Sequence, residues 1–170
     1  SCPLGCGGIC AMPGKDMQTH KPEYETVLAL GGLCMNEDTA SLIELNEMLN
    51  RAGMDTISAG ATVAFAMECY EKGVITKKDT YGLDLRWGNH DAVVELTKKI
   101  GLREGGLAYL LGEGCQYAAQ RIGKGSEDWA VAMKGQEIAA HNWRAQYISA
   151  LNYCTGVASG PNHERGNSQH

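Results

Sequence analysis

Asp38-Thr-Ala-Ser-Leu-Ile-Glu-Leu-Asn-Glu-Met-Leu-Asn-Arg-Ala-Gly53 decides the fold class. Leu42, Ile43, Leu45, Met48, Leu49 and Ala52 recur at the spacing that puts one apolar stripe on a helix. Asp38 or Thr39 can cap its start, because a short oxygen-bearing side chain satisfies the first unpaired N–H groups, and Gly53 ends it. Working outward, a second helix is predicted from Ser58 to Lys72, with Val63, Ala64, Met67 and Tyr70 inward and Gly73 as its stop. Its small residues, Ala59, Gly60, Ala61 and Ala64, allow another backbone or a ligand to come close. A third runs from Asn89 to Ile100, capped by Asn89, stopped by Gly101, with Ala92, Val93, Leu96 and Ile100 inward. Leu107–Ile122 is helical with a break at Gly112 and Gly114, Trp129–Ile138 alternates like a short strand, and Arg144–Tyr153 returns to helix. Residues 156–170 read as loop. The expected class is mostly α, a single multihelical domain over residues 1–170 with at most a short strand.

The chain has 170 residues, 15 Lys+Arg against 20 Asp+Glu, a net charge of -5 and 44% apolar content. A chain of this length and balance can bury a core, which excludes intrinsic disorder. No apolar run approaches the roughly 20 residues a membrane helix needs, and no basic N-terminal region precedes an apolar stretch. An acidic chain without a Lys/Arg patch is a poor match for nucleic acid. The seven cysteines are an odd count, unlike a secreted disulfide scaffold, and this predicts a reducing, cytoplasmic setting. Four of them sit in segments that look packed; the other three, Cys2, Cys6 and Cys10, crowd the N-terminus, where either a metal or ordinary thiols would explain them. The chain begins on Ser1 ahead of a cysteine motif and stops in a polar tail, so it reads as a piece of a longer protein.

Five stretches together resemble one family, the tungsten-containing aldehyde ferredoxin oxidoreductases: Ser1-Cys-Pro-Leu-Gly-Cys6, Pro22-Glu-Tyr-Glu-Thr26, Asn50-Arg-Ala-Gly-Met-Asp-Thr-Ile-Ser58, Ala66-Met-Glu-Cys-Tyr-Glu-Lys-Gly73 and Arg86-Trp-Gly-Asn89. Their order and spacing carry the resemblance, which covers nearly the whole chain. It implies the middle, helical part of a longer polypeptide, without the N-terminal cofactor-binding domain and the C-terminal end. It also implies a tungsten (or molybdenum) bis-pyranopterin beside a 4Fe–4S cluster, both expected only in the full-length parent. The implied reaction oxidises a small aldehyde to a carboxylic acid and passes electrons to ferredoxin.

The same resemblance nominates residues. Cys2 and Cys6 match the second and third cysteines of the cluster motif, whose other ligands would lie before Ser1 and beyond His170; thiolates are what bridged iron requires. Glu25 and Tyr24 match the family's active-site pair, where a carboxylate beside the metal activates water or takes a proton. Glu23 is expected to be structural. His163 matches a catalytic histidine, with Asn162 as the competing assignment. Asn50, Gly53, Met54 and Asp55 match a pterin-contacting motif, with Asn50 and Met54 departing from the usual Asp and Leu; Asp55 is the firmer contact. For Asn50–Gly53 a plain helix C-terminus explains the residues equally well.

Glu44 matches a glutamate that some members use for an intersubunit iron. Val93, Val94 and Glu95 supply no partner histidine and Glu47 replaces the second ligand, so no iron site of that type is expected; association with itself or with other subunits stays open. Asp79-Thr-Tyr-Gly-Leu-Asp84 repeats the pterin pattern but is taken for a loop and helix cap. Lys134-Gly-Gln-Glu137 and His141 resemble a family strand and turn, with no chemical role derived for them. The runner-up functions are an aromatic acyl-CoA reductase of the same family and a non-catalytic helical module. A small zinc protein using Cys2, Cys6, Cys10 and His20 is a third.

Overall fold

The computed structural model describes residues 5, 7–12, 14–16, 18–142 and 144–155. Helices dominate, with seven α-helices among the described residues. The order is β1 (Ile9–Ala11), β2 (Gln18–His20), α1 (Tyr24–Val27), a π-helical turn (Leu28–Gly32), α2 (Thr39–Ala52), α3 (Thr56–Glu71) and α4 (His90–Leu102). Then come α5 (Gly105–Leu111), α6 (Cys115–Ile122), a 3-10 turn (Ser126–Trp129), β3 (Ala132–Met133), β4 (Gln136–Glu137) and α7 (Tyr147–Thr155). No helix among the described residues is long and apolar enough to cross a membrane.

The helix ends follow the predicted chemistry. Asp38 accepts the Ser41 N–H at 2.6 Å to start α2, and Gly53, with φ 67°, supplies the left-handed residue that closes it. Asp55 accepts from both Ile57 N and Ser58 N, so α3 begins two residues before the predicted Ser58. Asn89 caps α4 through Ala92 N. The predicted stop at Gly101 is overrun: Gly101 lies inside the last turn, near Met54, and Arg103 takes the left-handed position with φ 53°. Arg103 can hold it because its guanidinium donates to Glu113 and lies over the Tyr109 ring.

α3 is the centre of the molecule. It is apolar all round, and Val63, Phe65, Ala66, Met67 and Cys69 are buried among Leu30, Leu45, Leu49, Val93, Leu96, Leu111 and Ala118 from its neighbours. Burying side chains of this size contributes roughly 1.5–3 kcal/mol each, which makes this cluster the main source of stability. The small residues do what the sequence suggested. A Cβ on Gly60 would sit 2.5 Å from the backbone carbon of Ala29, so only glycine lets the π-helical turn lie against α3.

Several local expectations change. The strand over Trp129–Ile138 is a tight hairpin of two-residue strands, β3 and β4, because Lys134 (φ 53°) and Gly135 (φ 85°) turn the chain back. A second pair, β1 and β2, was not foreseen in the sequence and runs antiparallel with Cys10 opposite Thr19. Ala52 is exposed, and Leu49 is the last residue of α2 buried in the core. α7 starts at Tyr147 because Asn142 ties Arg144 N and Ala145 N into a turn. Cys34, Cys69 and Cys115 are buried as expected, whereas Cys154 is exposed on α7. The tail from 156 onward lies outside the described residues.

Candidate active site

The sequence places Glu25 in the first turn of α1, where an N-terminal carboxylate would ordinarily face water. Here the side chain is turned inward and the residue is only 9% exposed. The π-helical turn that follows shifts the backbone register, and its contact with Gly60 pins α1 against α3. Glu25 thereby enters the wall of a cavity of about 480 Å³. Ile57, Ala61, Ala64 and Phe65 of α3 form its floor, Leu28, Ala29 and Leu33 one side, and Ile138, Ala139 and Ala140 the other. Trp87, Trp129 and Val131 add further apolar lining, with Glu68, Asn142 and Arg144 as polar liners, and the pocket stays open to solvent.

The carboxylate is held unevenly. Oε2 accepts the backbone N–H of Ala140 at 2.9 Å. Oε1 lies 3.0 Å from His141 Nε2, at ion-pair distance, yet it is buried without an aligned hydrogen bond. A buried carboxylate oxygen left in that state is costly, about 1–3 kcal/mol, and marks a position where a ligand, water or proton completes the set. Tyr24 shares the same nitrogen: its hydroxyl is 3.2 Å from His141 Nε2, and the two rings meet edge to face at 6.2 Å. Tyr153 adds a buried hydroxyl with no hydrogen-bond partner among the described residues. Burial, and then the nearby Glu25 charge, push its phenol above the ordinary range. Glu23 stands at the α1 N-cap position, exposed, with its carbonyl accepting from Val27 N, which is a structural role.

The second nominated group divides. Gly53 closes α2 and Asp55 caps α3, so both have a structural duty. Asp55 uses only Oδ1 for the cap. With Met54, Ser58, Glu113 and Glu137 it lines a cleft of about 240 Å³ between α3 and the β3–β4 hairpin. Carboxylates at the edge of such a cleft suit a ligand rich in N–H donors, such as a pterin ring. Asn50 is exposed and does not line this cleft. Cys2, Cys6, Asn162 and His163 lie outside the described residues. Among the described residues no group of three or more His, Cys, Asp or Glu side chains converges as a metal site.

Other motifs resolve into structural parts. Asp79 accepts from Thr76 N and Oγ1, and Asp84 from Arg86 and Tyr70, so the Asp79–Asp84 pattern is a self-bonded loop. Glu47 accepts from Thr19 and Arg51 and ties β2 to α2. Glu44 lines a separate polar cleft with Asp38, His90 and Glu95. Lys134 donates to the Cys154 carbonyl. Glu137 is 3% exposed and accepts from Thr62 and from Cys115 N, the first N–H of α6, so it clasps three elements. His141, like Lys134 and Glu137, has no chemical role in the sequence reading; its signal there is the resemblance of Lys134–Glu137 and His141 to a family strand and turn.

A largely apolar, half-open pocket with one incompletely bonded carboxylate in its wall is an arrangement that can present an acid–base group to a bound molecule. Residues 1–170 match the family model described as aldehyde ferredoxin oxidoreductase, domains 2 and 3, and the chain belongs to that family of oxidoreductases. It is 38% identical over 163 residues to the tungsten-containing aldehyde ferredoxin oxidoreductase of Pyrococcus abyssi, covering 94% of this chain and 26% of that protein. The corresponding enzyme of Pyrococcus furiosus is 37% identical over 161 residues, with the same coverage. The aliphatic sulfonate oxidoreductase WOR-like subunit of Pyrococcus furiosus is 30% identical over 168 residues, covering 94% of this chain and 27% of that protein. Among solved structures, the active-site complex BamBC of benzoyl coenzyme A reductase, solved with 1,5-dienoyl-CoA, superposes with a TM-score of 0.75 at 31% identity. That match covers 91% of this chain and 23% of that one. The chain thus spans about a quarter of the length of the relatives it matches.

Proposed function

We propose that residues 1–170 are the acid–base and pterin-flanking part of a cytoplasmic tungsten (or molybdenum) oxidoreductase that converts aldehydes to carboxylic acids and delivers electrons to ferredoxin. The buried Glu25 carboxylate, with one oxygen lacking an aligned hydrogen bond in the wall of the cavity, is the observation that carries this reading. Family membership and identity to the tungsten enzymes support the cofactor. When bound, the metal–pterin group supplies the two-electron redox step, and a 4Fe–4S cluster, including Cys2 and Cys6, carries the electrons away. Cys2, Cys6 and His163 enter on motif resemblance alone.

Oxidation of an aldehyde to an acid adds the oxygen of water and releases protons, so a base must stand where the protons appear. Glu25 is that base: Ala140 N–H holds one oxygen still while the other remains able to take a proton. Tyr24, whose hydroxyl lies beside the same histidine nitrogen, would hydrogen-bond an oxygen of the substrate. Apolar side chains of α3 line the pocket beside the carboxylate, and these less polar surroundings strengthen the polar contacts made there. Asp55 would hold the pterin through its remaining carboxylate oxygen, with Gly53 and Met54 completing that turn, and Asn50 stands outside the cleft.

The BamBC likeness favours a second reading, reduction of an aromatic acyl-CoA thioester by the same centre. Both readings are tested on the anaerobically purified full-length protein. Glu25→Gln is expected to cut turnover of a short aliphatic aldehyde, with a viologen dye as acceptor, by roughly 10²–10⁴-fold at unchanged tungsten content. Full activity of that variant overturns the catalytic assignment. Activity on benzoyl-CoA with no activity on the aldehyde replaces the first reading by the second.

A further inference from the structure

We propose that His141 is the positioning residue and proton partner of Glu25: it receives the proton that the carboxylate takes up and so returns it to the ionised, basic form. The inference rests on the role of Glu25 proposed above and assigns a function to a residue that motif resemblance leaves without one.

The argument starts from two atoms. Glu25 Oε1 and His141 Nε2 are 3.0 Å apart, and both side chains are shielded, at 12% and 16% exposure. An ionised carboxylate can only accept hydrogen bonds, and a bare imidazole nitrogen can only accept as well. Two lone pairs held at that distance repel, so a proton can pass between these atoms when they come into line; as they stand, Oε1 has no aligned hydrogen bond. Either a carboxyl O–H faces the nitrogen, or an Nε2–H, of the neutral Nε2–H tautomer or of the imidazolium, faces the carboxylate. The transfer is balanced: the O–H bond of protonated Glu25 breaks, the Nε2–H bond of His141 forms, and a neutral pair becomes a carboxylate and an imidazolium.

Tyr24 suits both states. Its hydroxyl, 3.2 Å from Nε2, donates to the nitrogen when the nitrogen is bare and accepts from it once the proton has arrived. The backbone reinforces the pair, because Ala140 and His141 are consecutive: the N–H of one holds Oε2 and the ring of the other faces Oε1. Glu25 is thus gripped from a single two-residue segment. The other ionisable groups around the carboxylate are Glu68 and Arg144 in the cavity wall and Tyr153 from α7.

The test uses the full-length holoenzyme, with the aldehyde and viologen assay and Glu25→Gln run alongside. His141→Ala is expected to lower kcat by roughly 10²-fold, as a displaced reacting group does, with KM and tungsten content unchanged. Free imidazole in the buffer is expected to restore part of the loss, and His141→Gln to recover less. A readout independent of turnover is the infrared spectrum of the protein. His141→Ala should show a new protonated-carboxyl band that vanishes in the His141→Ala, Glu25→Gln double variant. Normal kcat in His141→Ala while Glu25→Gln is inactive overturns this inference alone. Normal activity of Glu25→Gln overturns the underlying reading instead. If His141→Ala loses its fold, the imidazole-independent activity of His141→Gln decides: wild-type turnover there, with no new band, also overturns the inference.

Discussion

Glu25 Oε2 accepts the N–H of Ala140 at 2.9 Å, a bond that spans 115 residues of chain. It joins the first helix to the segment leading into the last one, and it is the contact that converts an exposed helix-start glutamate into a buried one. The neighbouring cleft is built in the same way, from residues whose structural and ligand-facing duties coincide.

Asp55 shows how those duties separate. Its Oδ1 caps α3 through Ile57 N and Ser58 N. Asp55→Asn keeps an oxygen for the cap and is expected to melt within about 1 kcal/mol of the parent, whereas Asp55→Ala loses about 1 kcal/mol through the missing cap. Both are expected to lower the pterin content of the full-length protein, since both remove the charged acceptor. Thermal melts and pterin released per chain measure the two effects, and full pterin loading in Asp55→Asn would sink the contact.

Glu137 is the strongest structural candidate outside the cavity. It accepts from Thr62 and Cys115 N while almost wholly buried. Glu137→Ala strands both donors and is expected to cost roughly 1–3 kcal/mol or more. Thr62→Val removes only one partner and should cost less. Denaturant midpoints rank the two, and an equal loss would contradict the clasp. Gly114 is tied to the same arrangement, as a Cβ there would lie 3.0 Å from the carboxylate.

The buried thiols set an alkaline limit. Burial pushes Cys34 and Cys69 from an ordinary 9.0 up to about 12, and raises Cys115 further, with the Glu137 charge adding to burial there. A folded-state value above the unfolded one means that native protein keeps protons the unfolded chain releases. Stability is therefore complete below about pH 9 and declines as pH rises toward 12. At about pH 8 an alkylating reagent should modify the exposed Cys154 and leave Cys34, Cys69 and Cys115 untouched until the protein unfolds. Mass spectrometry of the tryptic peptides reads this directly, and early labelling of Cys34 would refute its packing.

What the sequence made legible was whatever depends on near neighbours. Asp38, Gly53 and Asn89 act within a turn of themselves, so their capping roles could be read from spacing. The apolar stripe of α4 worked for the same reason. The stop of α4 failed because Arg103 holds a backbone conformation that glycine usually takes, and it does so through contacts with Glu113 and Tyr109. The candidate site divides along the same line. Glu25 and Tyr24 were nominated by a compact motif, whereas His141 meets Tyr24 across 117 residues and Glu137 meets Thr62 across 75. No local pattern announces such meetings. A glutamate's burial is likewise decided by who arrives from elsewhere.

The contact between Gly60 and Ala29 carries a consequence for divergence within the family. One hydrogen atom in place of a methyl sets how deep the π-helical turn sits, and with it the depth of Glu25. Neither side of that seam can change alone: a larger residue at Gly60 must be matched by a compensating shift of the turn, which would carry the carboxylate outward. Two homologues could keep every reactive side chain and still differ in cavity depth through this single hinge of size. The depth of the cavity is then inherited through a position that does not line it.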